Sequence, residues 1–155
     1  TVQSKSGHSF IKDKMREHNA VYGGEMSAHH YFRDFAYCDS GMIPWLLAIS
    51  VLSDTKQSLS SLVEDMITKF PCSGEINFKV ADTKVTIQKI FDHFADQKPA
   101  IDYTDGVSLD FGAWRLNVRA SNTEPLLRLN IESRLDRNPK SMQDYVDELT
   151  TLIEG

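Results

Sequence analysis

The polar stretch 119–125, with the sequence RASNTEP, carries side chains that could bind an oxyanion. It offers one guanidinium, two hydroxyls and one amide within a few residues, and Pro125 stiffens its exit. A guanidinium can donate to two phosphate oxygens at once, and hydroxyls and backbone N–H groups can serve the remaining acceptors. Ser, Asn and Thr are also common turn residues, so composition alone leaves an ordinary polar hairpin loop as the alternative.

Apolar residues alternate with polar ones on both sides of this stretch. They are Trp114, Leu116 and Val118 before it, and Leu127, Leu129 and Ile131 after it. This alternation predicts the two strands of a hairpin, with the polar stretch at its tip. The strands would then form a rigid scaffold that holds the hydrogen-bond donors in place. Arg115 and Arg128 fall on the opposite face from the apolar residues and are predicted to be surface charges.

A second polar loop, Gly24–His29, follows a pair of glycines that would let the backbone approach a ligand. The carboxylate of Glu25 could accept hydrogen bonds from two neighbouring sugar hydroxyls, although a solvated surface glutamate is the alternative. Glu25, His29 and His30 also raise the question of a metal site. Three good ligands do not converge at this spacing, so the chain is predicted to bind no metal.

A third candidate is His8, which stands where a turn enters a predicted helix with Ser9 as its N-cap. An imidazole can carry a proton or contact a phosphate near neutral pH. A polar histidine at a helix start is the alternative. Lys12, one turn further along, is a second candidate contact.

Three segments, 7–12, 24–29 and 119–125, together resemble the α-D-phosphohexomutases, the phosphomannomutase/phosphoglucomutase family. In that order they resemble the segment with the active-site histidine, the sugar-recognition loop and the phosphate-binding loop. The resemblance covers essentially the whole chain and is closest to bacterial phosphomannomutases.

The resemblance implies a role for each candidate residue. Four residues would hold the non-reacting phosphate: Arg119, Ser121, Asn122 and Thr123. Three would contact the sugar: Glu25, Ser27 and His29. His8 would lie near the transferring phosphate as a proton carrier or phosphate contact, with Lys12 as an additional contact. Ala28 stands where many relatives have glycine, and its methyl could narrow the loop.

The resemblance also implies a reaction, the interconversion of mannose 6-phosphate and mannose 1-phosphate through a hexose 1,6-bisphosphate. Such enzymes use a phosphorylated serine and a Mg²⁺ held by an aspartate-rich loop. Neither has a counterpart here, since the sequence has no Ser-His-Asn run and no Asp-Gly-Asp run. Phosphoryl transfer needs both a nucleophile and charge neutralisation. The chain is therefore predicted to be the C-terminal recognition part of a phosphomannomutase, inactive alone and partnered by the enzyme's N-terminal domains.

Two alternatives stay open. The chain could belong to a phosphoglucomutase or phosphoglucosamine mutase, because the loop at 24–29 does not settle the hexose. It could also be a non-catalytic phosphosugar-binding module that acts without other domains.

Length and composition suit one ordinary domain or two small ones, with 155 residues and 41% hydrophobic content. The formal charge of -5 argues against nucleic acid as a partner. No apolar run reaches the roughly 18 residues of a membrane span, and no signal peptide is evident. Cys38 and Cys72 match no metal or redox spacing, which favours two reduced thiols in the cytoplasm over a disulfide.

The order of elements predicts an α/β partial domain over residues 1–71. A strand, a helix and a short buried strand at Ala20–Tyr22 suggest a βαβ unit with a parallel sheet. A helix over Met42–Leu52 is apolar on most sides and should be buried, and an amphipathic helix follows over Leu59–Phe70.

Residues 72–155 are predicted to form an α+β domain, similar to the family's last domain. The order β-α-β-β-β-β-α suits an antiparallel sheet with both helices on one face. Asp105-Gly106 predicts a two-residue hairpin turn, and Ser141 with Asp144 has the spacing of a capping box.

Overall fold

The computed structural model describes residues 1–121, 125–134 and 140–155. These residues form two compact units, 1–62 and 63–155, whose division falls within the third helix. The predicted domain boundary between residues 71 and 72 stays a prediction. Asn122 and Thr123 of the predicted phosphate loop lie outside the described residues.

The first unit contains three very short strands and helices that precede and follow them. Its elements are α1 (His8–Glu17), β1 (Tyr22–Gly24), β2 (His30–Phe32), a 3₁₀ turn (Arg33–Phe35), β3 (Cys38–Asp39) and α2 (Met42–Thr55). The next helix, α3 (Leu59–Lys69), begins in this unit and continues into the second.

A small apolar cluster fixes α1 against the hairpin of β1 and β2. Ile11 and Met15, one helical turn apart, are buried together with Tyr31 of β2. Gly23 packs closely against this cluster, since a Cβ on it would lie 2.8 Å from Met15 Sδ and would force that side chain to shift. The cluster therefore sets the position of Gly24 and of the loop that follows it.

The mixed α/β class of this unit is confirmed, but the predicted parallel pairing is wrong. The strands form an antiparallel sheet in the order β1-β2-β3, with Gly24 opposite His30. Residues 1–5 have no regular secondary structure, and Val21 and Tyr22 are exposed. The physical reason is the short turn after Gly24, where Glu25 N donates to His29 O at 3.0 Å, because such a reversal makes the next strand an antiparallel neighbour.

Helix α2 has the predicted position but not the predicted burial. None of its residues is buried, and Trp45, Leu46 and Leu47 are each more than half exposed. Its sequence is apolar, but burial also needs a partner element, and no described element covers this helix. Ser40 Oγ accepts a hydrogen bond from Ile43 N at 3.3 Å just before the helix, whose N-cap residue is Gly41.

The second unit is a five-stranded antiparallel sheet with two helices. Its elements are β4 (Ile76–Phe78), α4 (Thr83–Phe94), a 3₁₀ turn (Ala95–Gln97), β5 (Ala100–Asp102), β6 (Val107–Asp110), β7 (Trp114–Ala120), β8 (Leu127–Ser133) and α5 (Met142–Glu154). The strand order is β4-β8-β7-β6-β5, so the predicted element order and antiparallel sheet are confirmed.

The core of this unit lies between one face of the sheet and both helices, as predicted. It contains Leu116, Val118 and Leu129 from the sheet, Phe94 from α4 and Leu149 from α5, each almost fully buried. Because side chains alternate along a strand, the polar residues of β7 and β8 project from the opposite face. This polar face leads to the predicted phosphate loop.

Local signals at the element ends were mostly correct. Asp82 caps α4, and Ser141 and Asp144 form the predicted capping box of α5. Helix α1 begins at His8, so Ser9 is inside it rather than its N-cap. The turn at Asp105-Gly106 belongs to a longer connection, 103–106, because Asp102 accepts from Thr104 N and ends β5 early.

Candidate functional site

The hairpin of β7 and β8 carries the predicted phosphate loop at its tip. Ser121 N donates to Leu126 O at 2.8 Å, which closes the hairpin just outside the strands. Arg119 is the penultimate residue of β7 and lies directly opposite Arg128 of β8. The scaffold therefore presents Arg119 and Ser121 at one end of a regular sheet.

Arg119 and Arg128 share one carboxylate. Glu75 lies 3.3 Å from Arg119 Nη2 and 3.5 Å from Arg128 Nη1. The three side chains are 22%, 24% and 30% exposed for Arg119, Arg128 and Glu75 respectively. Arg128 therefore lies on the polar face of the sheet, as predicted, and is partly exposed beside Arg119, which the strand register places across from it.

Arg115 makes a different kind of pair on the same face of the sheet. Its Nε and Nη2 donate to the two carboxylate oxygens of Glu132 at 2.7 and 3.1 Å. The hydrogen bond with Glu132 raises the pKa of Arg115 above its usual range. Both side chains are more than 40% exposed, which agrees with the prediction that Arg115 is a surface charge.

The second candidate loop holds the carboxylate of Glu25 by both oxygens. Tyr31 donates its hydroxyl to Glu25 Oε1 at 2.7 Å, and Ser27 Oγ donates to Oε2 at 3.2 Å. Burial, with the Glu25 bond as a further cause, raises the pKa of Tyr31 to about 12, so its hydroxyl stays a donor. The structure thus brings together Glu25 and Ser27, two of the predicted sugar contacts. It also shows Tyr31 as a buried residue that holds the Glu25 carboxylate in place.

Ala28 adopts a left-handed backbone conformation, with a φ of 63°. Its N–H donates to Glu25 O at 3.0 Å, so this conformation belongs to the tight turn between β1 and β2. Glycine adopts this backbone region without a steric penalty, so the turn would accept a glycine in place of Ala28.

His29 is oriented by Asp39 of β3. His29 Nδ1 lies 2.7 Å from Asp39 Oδ2, while Asp39 Oδ1 accepts from His30 N at 2.9 Å. The Asp39 bond raises the pKa of His29, and the same bond lowers the pKa of Asp39. With Nδ1 engaged by the carboxylate, Nε2 is the ring nitrogen that can exchange a proton with a ligand.

His8 is the first residue of α1 and is exposed, with its Nδ1 3.4 Å from Ser9 Oγ. Lys12, on the next turn of α1, is half-buried. In the part of the chain that the structure describes, neither side chain is hydrogen-bonded to the Glu25 loop. Both lie on the helix that packs against that hairpin.

The described residues show no group of three or more His, Cys, Asp or Glu side chains arranged to hold a metal ion. The adjacent histidines have separate partners, since His30 Nδ1 contacts Tyr22 Oη at 2.7 Å while His29 contacts Asp39.

Within residues 1–121, 125–134 and 140–155, no helix is both long and apolar enough to cross a membrane.

Comparison with known families identifies both parts of the chain. Residues 1–70 match the model described as phosphoglucomutase/phosphomannomutase, alpha/beta/alpha domain III, and residues 75–149 match that of the C-terminal domain of the same family. The chain belongs to the phosphoglucomutase/phosphomannomutase family.

Relatives from several bacteria match almost all of this chain. A protein named phosphohexose mutases from Xanthomonas campestris is 59% identical over 154 residues, which is 99% of this chain and 34% of that protein. A phosphomannomutase from Vibrio cholerae is 55% identical, and the alignment covers 99% of this chain and 33% of that protein. The chain thus spans about a third of the length of these relatives.

A solved structure of the same family has a similar fold. The crystal structure of a phosphoglucomutase/phosphomannomutase family protein from Burkholderia thailandensis aligns with a TM-score of 0.65 at 25% identity. The alignment covers 97% of this chain and 32% of the other.

Proposed function

We propose that this chain is the C-terminal sugar- and phosphate-recognition part of a phosphomannomutase that interconverts mannose 6-phosphate and mannose 1-phosphate. The names of the relatives support the reaction class and the sugar. The observation that carries the proposal is the Glu25 loop, where Tyr31 and Ser27 fix the carboxylate at the end of a short hairpin.

In this proposal Glu25 accepts hydrogen bonds from sugar hydroxyls, with Ser27 and His29 as neighbouring contacts. A ligand hydroxyl would replace the Ser27 bond, which is the longer of the two bonds to Glu25. The Tyr31 bond would persist and hold the carboxylate in place. The loop therefore offers a fixed acceptor with one exchangeable partner.

The phosphate that does not react would bind at the hairpin tip. The proposed contacts are Arg119, Ser121, Asn122 and Thr123. Arg119 supplies the charge, and bidentate donation from its guanidinium orients the phosphate. His8 is proposed to contact the transferring phosphate or carry a proton, with Lys12 beside it on α1.

His29 is a further candidate for proton transfer in this proposal. When Nδ1 donates to Asp39, Nε2 of the neutral ring has a lone pair that can accept a proton from a sugar hydroxyl. The negative charge of Asp39 also stabilises the protonated ring that results. Asp39 would act through His29 as a positioning residue.

Mg²⁺ and a phosphorylated serine would come from parts of the whole enzyme outside this sequence, as would the binding of a hexose 1,6-bisphosphate intermediate. The described residues of this chain include no group of three or more His, Cys, Asp or Glu side chains that could hold a metal ion. We propose that the whole enzyme works in the cytoplasm and that the 155-residue chain alone has no mutase activity. Turnover by the purified chain, free of host enzyme, would contradict this proposal.

The test is an amide NMR titration of this chain with mannose 6-phosphate, with inorganic phosphate as the matched control. We expect mannose 6-phosphate to shift residues 119–121 and also 25–29, and inorganic phosphate to shift only the first group. Equal shifts for both ligands, confined to residues 119–121, would reduce the function to phosphate binding. Absence of shifts at both loops would contradict the proposed recognition role.

A further inference from the structure

We infer that Tyr31 is a positioning residue that gives the Glu25 loop its selectivity for a sugar phosphate over free phosphate. The inference rests on the proposed sugar-recognition function of Glu25 and deepens it, because it names the residue on which that recognition depends. The observation that carries it is one side chain with its ring in the buried cluster and its hydroxyl on the Glu25 carboxylate.

The ring of Tyr31 is held by packing between α1 and the hairpin. Tyr31 is 2% exposed and is buried together with Ile11 and Met15 of α1. It lies directly opposite Gly23, and a Cβ on that glycine would lie 2.8 Å from Met15 Sδ and 3.0 Å from Ile11 Cγ2. The helix therefore packs closely on this face of the hairpin, and such packing leaves a buried ring little freedom to move.

The hydroxyl of Tyr31 is the shorter of the two side-chain contacts to Glu25. It donates to Oε1 at 2.7 Å, a length typical of a bond to an ionised oxygen. Burial, and then the bond to Glu25, raises the pKa of Tyr31 to about 12, so the hydroxyl keeps its proton near neutral pH. Ser27 Oγ lies 3.2 Å from Oε2 and belongs to an exposed residue. Tyr31 is therefore the anchored contact of the carboxylate.

Through this bond, the position of α1 determines where the carboxylate of Glu25 lies. Helix α1 also carries His8 and Lys12, the proposed contacts of the transferring phosphate. Tyr31 thus fixes the spacing between the sugar acceptor and these two groups. Free phosphate is an anion and is repelled by the carboxylate of Glu25, so its binding should not depend on Tyr31. The hydroxyl therefore contributes to the recognition of a sugar phosphate and not to that of phosphate alone.

Tyr22 provides a matched hydroxyl on the other face of the same hairpin. Tyr22 and Gly23 are consecutive residues of β1, and side chains alternate along a strand, so Tyr22 lies on the face away from Tyr31. Its hydroxyl bonds to His30 Nδ1 at 2.7 Å rather than to Glu25. Replacing either tyrosine by phenylalanine removes one hydroxyl and one hydrogen bond from this hairpin, but only the Tyr31 change affects Glu25 directly.

The test compares Tyr31→Phe with Tyr22→Phe by NMR titration of the 155-residue chain with mannose 6-phosphate and, separately, with inorganic phosphate. We expect Tyr31→Phe to weaken binding of mannose 6-phosphate roughly three- to tenfold, because the ligand must then immobilise the Glu25 side chain itself. Tyr22→Phe should change this affinity less than about twofold. Neither variant should alter the response of residues 119–121 to inorganic phosphate.

Backbone ¹⁵N relaxation of the free variants distinguishes positioning from a general loss of structure. We expect the order parameters of residues 25–29 to fall in Tyr31→Phe, while those of α1 stay at about 0.85, the value of rigid backbone. A fall in α1 and the loop together would make the hydroxyl merely structural and would overturn the inference. The unmodified chain supplies a measurement that needs no variant. Its Tyr31 Cζ signal should remain that of an un-ionised ring at about pH 10, where a free tyrosine is half ionised. Half ionisation there would also overturn the inference.

The outcomes separate this inference from the proposed function. If mannose 6-phosphate shifts residues 25–29 and Tyr31→Phe binds it as tightly as the unmodified chain, the positioning role is wrong and the proposed function stands. Equal losses in Tyr31→Phe and Tyr22→Phe would also overturn the inference, because contact with Glu25 would not be the cause. If mannose 6-phosphate leaves residues 25–29 of the unmodified chain unshifted, the proposed sugar recognition and the inference both fail.

Discussion

Asp39 sets the proton affinity of His29, and this relation can be tested at a single atom. Asp39→Asn removes the negative charge but keeps an oxygen that can accept from His30 N. We expect the pKa of His29 to fall toward its ordinary value of 6.5, since the Asp39 bond is the main cause of its elevation. The pH dependence of the His29 ring signals in NMR measures this change.

Glu25→Gln is the matched control, because Glu25 raises the pKa of His29 less than Asp39 does. An unchanged His29 pKa in Asp39→Asn would contradict the geometry. The linkage has a defined sign: the raised pKa of His29 stabilises the folded chain below the ordinary value of 6.5, and this contribution is lost as pH rises through the raised pKa. The lowered pKa of Asp39 sets the acid limit, since the contribution is also lost as pH falls through it.

Some site residues were predictable from sequence and others were not. Glu25 and Ser27 are two positions apart in a loop, so local spacing was enough to group them. Arg128 could have been found by counting register from the hairpin tip, which places it opposite Arg119. Glu75 could not have been found this way, because its approach depends on β4 pairing with β8, far apart in the chain.

Glu148 ties α4 to the start of α5 and gives the second unit a pH-dependent contribution to stability. Its carboxylate lies 3.1 Å from His93 Nε2 and 2.8 Å from Lys140 Nζ. The Lys140 bond, then the His93 bond, lowers the pKa of Glu148. We expect Glu148→Gln to reduce the free energy of unfolding by less than about 1 kcal/mol near neutral pH, because Lys140 is half exposed.

The stabilisation by Glu148 should be present above its ordinary carboxyl pKa of 4.5 and be lost as pH falls through the lower, folded-state value. Urea unfolding of both proteins near neutral pH and at about pH 3 measures this. The difference should be smaller at the lower pH. Glu154→Gln, the same charge change at the exposed end of α5, is the control, and an equal effect there would contradict a role for the bridge.

At the scale of elements, the second unit was predictable because its signals agree with one another. The alternation in β7 and β8, the apolar stripe of α5 and the capping box at Ser141 all specify the same sandwich. In the first unit the sequence order strand, helix, strand was ambiguous. The short turn at Glu25 makes the pairing of β1 and β2 antiparallel. This turn is hard to recognise from sequence, because Ala28 takes a backbone conformation that favours glycine.

At the scale of the whole chain, the two units differ in how much apolar surface they bury. Among the described residues, the core of the second unit contains thirteen buried side chains and that of the first only Ile11, Met15 and Tyr31. Helix α2 has an apolar sequence and no buried residue. Burial of apolar area is the main favourable contribution to folding, so the first unit should be the less stable one.

Hydrogen exchange of the isolated chain tests this difference. We expect amides of β1, β2 and α2 to exchange through openings of lower free energy than those of β7, β8 and α5. Leu149→Ala, in the second core, should reduce protection there by about 2–5 kcal/mol, whereas Leu47→Ala, at an exposed site on α2, should change protection by less than about 0.5 kcal/mol. Protection of α2 that rises with protein concentration would indicate that a second copy covers its apolar face. Equal protection of both units in a monomer would contradict the argument, because it would require the first unit to gain stability from contacts other than its three buried side chains.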